Sequence, residues 1–327
     1  PAPVAVLVAG VMAKTGAYGF VRFCLPLFPQ ASHQLSGLME VLAVVGILYF
    51  ALQALVAQDF KRLLAYVSIS HMGVIILGIF ALNVQGIEGA ALQMVNHGIL
   101  IAALFLIAGA IEERTGTRRL ADFGGLATRL PALATVFLLV ALAALGLPGL
   151  NSFAGEFLAF LGAFQATYAL GALGTLVVVP AAWYMLRFFQ GVTEGPAPSD
   201  GPVAAALAST GATARATGGM VTAALPRARA LVDLRGSEFA VLAPLLALIV
   251  ALGLFPGTVT VRLDSTVAAL PPAVVGSAAR GFLPDIMSQV DVRRPPLQAL
   301  GTAGRALALA EEIRTLVIVD DRLGGFA

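Results

Sequence analysis

The chain has 327 residues, 59% of them hydrophobic and 12% charged, with a formal net charge of +2 and a mean hydropathy of +0.91. Soluble domains carry about 25% charged residues, so this balance excludes a soluble enzyme and points to an all-α polytopic membrane protein. The single cysteine, Cys24, excludes an internal disulfide and a cysteine-based metal site.

The opening Pro1-Ala2-Pro3, with no Met and no signal peptide, enters an apolar run at once and reads as the interior of a longer polypeptide. A spanning helix needs roughly 20 apolar residues. The segments that qualify are 3–23, 36–57, 62–82, 87–111, 131–165, 167–189 and 238–257. About seven transmembrane helices are therefore expected, with many Gly and Ala residues that permit close packing. Residues 1–190 form the bundle, 191–237 a Gly/Ala-rich cytoplasmic loop, 238–257 the last span and 258–327 a tail. Within the tail, Ala306, Leu309, Ile313 and Leu316 define one stripe of an amphipathic helix over 303–318.

Orientation follows the basic residues of the connections. Lys61 and Arg62 lie between the second and third spans. Arg114, Arg118, Arg119 and Arg129 lie between the fourth and fifth, and Arg187, Arg215, Arg227, Arg229 and Arg235 between the sixth and seventh. The opposite side holds only Arg22, so the basic connections are expected on the cytoplasmic face.

The fifth segment should break. Pro148, Gly149 and Gly155 interrupt an apolar run from Leu130 to Phe164, and the carboxylate Glu156 lies deep in it. Proline removes a backbone donor and clashes with the preceding turn. Irregular backbone at membrane depth is tolerated only inside protein or beside a water-filled cavity. A broken helix beside a buried acid is the layout of an ion path.

Three further titratable side chains sit at mid-membrane depth. Lys14 is about eleven residues into its span, ~16 Å at ~1.5 Å per residue, near the middle of a ~30 Å core. There it reads as a desolvated lysine able to gain and lose a proton, against the bland reading of a lysine that snorkels. His71 and His97 each have a polar neighbour on their own face, Ser68 at i−3 and Gln93 at i−4. Either histidine alone could simply bond a neighbouring helix. Two at matching depth, with Lys14 and Glu156, suit a proton relay. Glu156 could also serve only to bond backbone donors freed by the break. Glu40 reads as a weaker candidate at the membrane–water boundary, and Asp59, Lys61 and Arg62 as a charged turn. Tyr66, Asn96, Asn151 and Ser152 could hold ordered water. No phosphate loop, dinucleotide fingerprint or metal motif occurs, so cofactor-binding and metal residues are expected to be none.

The runs Ala2-Pro3-Val4-Ala5-Val6-Leu7-Val8-Ala9-Gly10, Lys14-Thr15-Gly16-Ala17-Tyr18-Gly19, Asp59-Phe60-Lys61-Arg62-Leu63-Leu64-Ala65-Tyr66 and Ser68-Ile69-Ser70-His71-Met72-Gly73 resemble the M-subunit family of bacterial complex I. So do Gln93-Met94 with His97-Gly98, and Gly146-Leu147-Pro148-Gly149 with Gly155-Glu156-Phe157. The resemblance covers about 3–190 and the seventh helix.

It implies the C-terminal half of an antiporter-like, fourteen-helix, proton-translocating subunit of NADH:quinone oxidoreductase. It also implies that the proton passes from Lys14 through His71, His97 and water to Glu156. NADH, FMN, Fe–S clusters and quinone would belong to partner subunits. The partners would be other complex I membrane subunits, lipid and protons, with no nucleic acid, in a bacterial inner membrane. Sister subunits and Mrp-type cation/proton antiporters generally carry lysine where Glu156 stands, so glutamate favours the M type. An Mrp-type antiporter, a group 4 hydrogenase or a membrane scaffold that moves no ions are the alternative readings.

Overall fold

A computed structural model describes residues 2–196, 199–204, 232–268 and 270; the predicted amphipathic helix over 303–318 and most of the loop 191–237 lie outside them. The described residues form helices α1 (Pro3–Leu27), α2 (Pro29–Val56), α3 (Phe60–Phe80) and α4 (Val84–Thr115). There follow α5 (Pro131–Ala144) and α6 (Asn151–Ala166). Next come α7 (Tyr168–Thr193) and α8 (Gly236–Leu254), and α9 (Gly257–Ala268). Six of these are long and apolar enough to cross a membrane, and α5 is a shorter apolar helix.

The helix ends follow local chemistry. Asp59 precedes α3, and its Oδ1 accepts from Lys61 N at 2.8 Å and Arg62 N at 3.1 Å. Asn83 precedes α4, and its Oδ1 accepts from Gly86 N at 2.8 Å. Gly116, at φ +73°, closes α4 in the left-handed region. Helix α1 is not uniform, since π-helical stretches Val6–Met12 and Phe20–Cys24 flank the turns that hold Lys14. Such widened turns are frequent at functional sites.

The predicted break is present. Helix α5 spans 14 residues and α6 spans 16, each short of the roughly 20 needed to cross alone. The end of α5 is a Schellman turn: Leu147 N donates to Leu142 O at 3.2 Å and Gly146 N to Ala143 O at 3.1 Å, with Gly146 at φ +66°. Pro148 follows at once and cannot continue the helix.

Two expectations are corrected. Helix α2 begins at Pro29 rather than near residue 36, because proline suits a first helical position. The earlier start leaves Glu40 eleven residues inside the helix and buried. Arg114, counted among the loop charges, instead lies in the last turn of α4 and is buried.

Small residues set the tightest helix contacts. A Cβ added at Gly89 of α4 would stand 2.3 Å from Ala159 N of α6 and 2.6 Å from Leu158 C. The obstacle is backbone, so the helices must part. Gly89→Ala is therefore expected to cost about 1–3 kcal/mol, read as a lowered melting temperature in detergent. Gly37→Ala, with nothing within 4 Å of its added Cβ, is the control. Equal melting of both variants and wild type would refute this account of the seam.

The charged connections gather at one end of the bundle. Asp59 bridges Arg119 across backbones, and Lys61 pairs with Glu112. Arg118 reaches Asp59 at 3.5 Å and Glu112 at 3.6 Å. The start of α8 joins them through Arg114 and Glu238 at 2.5 Å.

Candidate functional site

Helices α3, α4 and α6 bring three of the four sequence-predicted side chains into one buried cluster. Glu156 Oε1 stands 2.9 Å from His71 Nδ1 and accepts from Gln93 Nε2 at 2.9 Å. The His71 contact is a close polar approach rather than an aligned hydrogen bond, since that nitrogen has no hydrogen-bond partner. The imidazoles of His71 and His97 stack at 5.4 Å and 14°. His97 is fully buried, and neither ring nitrogen has a hydrogen-bond partner in the protein.

The break shapes this cluster. Glu156 lies in the second turn of α6, close to the turn that ends α5. A Cβ at Gly146 would meet Glu156 Oε2 at 3.1 Å. Gly155 presents no side chain toward Gln93, whose backbone N would lie 2.9 Å from an added Cβ. Beneath it, Asn96 and Asn151 clamp α4 to the start of α6: Asn96 Nδ2 donates to Asn151 O at 2.5 Å and Asn151 Nδ2 to Asn96 O at 3.1 Å. Among the described residues, the hydrogen bond that Glu156 accepts comes from the Gln93 side chain and not from a backbone donor freed by the break.

Lys14 approaches from α1 and is 9% exposed. Its Nζ donates to Ala9 O of its own helix at 2.5 Å. Helix α1 touches α4 where both lack side chains, an added Cβ at Gly98 standing 3.1 Å from Gly10 O. His97, beside Gly98, is within electrostatic reach of both Lys14 and His71. Lys14 is thus linked to His97 by charge alone, while His97 stacks on His71 and His71 touches Glu156.

Tyr184 of α7 was not foreseen. It is buried, its hydroxyl has no hydrogen-bond partner, and it lies within electrostatic reach of Glu156. A tyrosine on an apolar helix looks like core, so only its bare hydroxyl marks it. Gln93 entered only as a neighbour of His97, yet it bonds Glu156 directly. Tyr66 is placed elsewhere, stacked on Phe50 at 6.2 Å and beside Asp59 and Arg62 at the charged end.

Gln93 Oε1, Asn96 Oδ1, Asn151 Oδ1 and Ser152 Oγ are also buried without a hydrogen-bond partner. Buried polar atoms of this kind are what ordered water satisfies. Among the described residues no group of three or more His, Cys, Asp or Glu is placed to hold a metal ion.

Residues 1–179 match the family described as NADH:quinone oxidoreductase/Mrp antiporter, transmembrane. The chain belongs to this family. The match includes all four predicted site residues, while Tyr184 and α8 lie beyond it. NADH-quinone oxidoreductase subunit M of Rhodobacter capsulatus is 37% identical over 270 residues, which is 83% of this chain and 48% of that protein. A chain of respiratory complex I from Thermus thermophilus with bound NADH superposes with a TM-score of 0.67 at 36% identity, over 80% of this chain and 50% of that one. A chain of the Mrp complex from Dietzia sp. DQ12-45-1b gives a TM-score of 0.67 at 24% identity, over 83% and 55%, and so shares the fold. The chain spans about half the length of the curated relatives it matches.

Proposed function

We propose that this chain carries a proton path of an M-type membrane subunit of a proton-translocating NADH:quinone oxidoreductase in a bacterial plasma membrane. The observation that carries the reading is the contact of Glu156 with His71, itself stacked on His97, in a buried cluster beside a broken helix. In this reading a change of charge in partner subunits alters the protonation of Lys14. The proton then moves to His97, to His71 and to the Glu156 carboxylate, which later releases it toward the opposite face. Each imidazole accepts a proton on one nitrogen and gives up the other, returning to neutrality without leaving its place. Gln93 holds the Glu156 carboxylate in line, and the buried Tyr184 lies within its electrostatic reach.

The chain performs no redox step in this scheme. NADH, FMN, Fe–S clusters and quinone belong to partner subunits, and the subunit acts as the translocase part of the enzyme. The glutamate at position 156, where Mrp-type relatives generally carry lysine, favours the M type over a cation/proton antiporter. A scaffold without ion transfer would hold these ionisable groups in the membrane at considerable cost for no purpose.

The test is the intact complex in vesicles, with Glu156→Gln or Lys14→Ala. Proton uptake driven by NADH is expected to fall several-fold while assembly persists. If NADH oxidation and pumping both stay at wild-type levels, the relay assignment is wrong.

A further inference from the structure

One buried carboxylate has no part in the relay described above. Glu40 of α2 is 3% exposed, and among the described residues no cation stands within ion-pair distance of it. Its height in the bundle follows from the α2–α3 seam. Ser70 Oγ donates to Ile47 O at 2.8 Å. A Cβ at Gly73 would meet Ala43 O at 3.1 Å. The two helices run antiparallel, so residues before Ala43 on α2 lie beyond Gly73 on α3. Glu40 is seven residues before Ile47, and His71 is one residue after Ser70. At ~1.5 Å per residue, Glu40 stands ~9 Å past His71, away from the charged end that holds Asp59 and Arg118.

The side chain continues in that direction, since helical side chains tilt toward their own N-terminus, here Pro29. It reaches the side chain of Thr167, the residue that joins α6 to α7. Thr167 lies eleven residues beyond Glu156, ~16 Å along α6. Glu40 thus occupies the interval between Glu156 and the end of the bundle opposite the basic connections. An unpaired acid held there bridges a stretch otherwise too long for direct transfer.

We propose that Glu40 is the exit-side proton carrier of this path: it takes the proton that leaves Glu156, through ordered water, and releases it at the Thr167 end. The step is a bare proton transfer, in which the Glu156 carboxylate is regenerated as the Glu40 carboxyl forms, and Glu40 returns to carboxylate on release. The inference rests on the relay reading.

The experiment is NADH-driven proton uptake in inverted membrane vesicles, normalised to assembled complex. It compares wild type, Glu40→Gln, Glu40→Asp and Glu156→Gln in the full-length subunit. Glutamine keeps the size and the polar end but carries no titrating proton. The expected result is a several-fold loss in Glu40→Gln, matched by Glu156→Gln and largely restored by Glu40→Asp, with complex content unchanged. If Glu156→Gln loses uptake and Glu40→Gln does not, the exit role is wrong while the relay stands. If neither loses uptake, both fall. A fall in complex content in Glu40→Gln and Glu40→Asp alike, with uptake per assembled complex at the wild-type level, assigns Glu40 to packing and overturns the proposal.

Discussion

Replacing Arg114 with methionine should destabilise the described bundle by about 3–5 kcal/mol, the cost of removing one partner of a buried ion pair. Arg114 is 7% exposed at the end of α4. Its Nη1 donates to Ala110 O and Glu238 Oε1, both at 2.9 Å, and its Nη2 to Glu238 Oε2 at 2.5 Å. Its Nε donates to Val232 O at 2.9 Å, and Nη2 also reaches Asp233 O at 3.3 Å. These bonds hold the approach to α8, and that approach caps another helix. Asp233 accepts from Ala132 N at 2.9 Å and Leu133 N at 3.1 Å, the first donors of α5. One guanidinium therefore ties α4 to α8 and places the carboxylate that starts the broken pair.

Lysine keeps the charge but lacks the planar fork, so Arg114→Lys should recover only a small part. Arg114→Met with Glu238→Gln should recover more than either change predicts, because no unpaired carboxylate is left. Thermal unfolding in detergent, arranged as a double-mutant cycle, reads both. Additive losses, or a methionine variant as stable as wild type, would show that the fork carries no such weight.

How much of this is legible in the sequence depends on which interactions are local. The spans are long apolar runs, and Pro148 with Gly149 stops a helix by steric and hydrogen-bond rules that need no partner. The break therefore appeared where expected. The start of α2 was read late because its first turns, with Gln30, His33 and Gln34, are polar. A hydropathy window starts late on such a turn, while the backbone had already become helical at Pro29.

The approach of Lys14 to the cluster was not readable at all. It depends on α1 meeting α4 at Gly10 and Gly98, a contact between segments almost ninety positions apart. Tyr184 was hidden for a related reason: its significance lies in its burial within electrostatic reach of Glu156. Arg114 looked like any loop charge until its partners Val232, Asp233 and Glu238 came from a distant stretch. Residue type and depth were visible, and neighbourhood was not.

The same neighbourhood argument gives the largest expected effect on the break. Gly253, near the end of α8, has no room for a side chain. An added Cβ would stand 2.3 Å from Gly149 O, 2.5 Å from Leu150 Cα and 2.6 Å from Gly149 C. All three obstacles are backbone, so no rotamer change relieves them. Gly149 is already at φ +89°, and the turn it belongs to is closed by the hydrogen bonds of Leu145, Gly146 and Leu147.

Gly253→Leu must therefore push α8 away or shift the turn. A shifted turn moves Leu150 and with it Asn151, which is clamped to Asn96. Glu156 follows one and a half turns later, and its 2.9 Å contacts with His71 and Gln93 have little slack. We expect a loss of about 1–3 kcal/mol from overpacking, together with a several-fold fall in coupled proton uptake. Gly253→Ala should show the same two effects in smaller measure. Gly236→Ala, at the other end of α8 with nothing within 4 Å of its added Cβ, should show neither. Loss of stability with uptake per assembled complex intact would mean that α8 alone moves and the turn holds its place. Wild-type values for both would mean that α8 does not rest on the break.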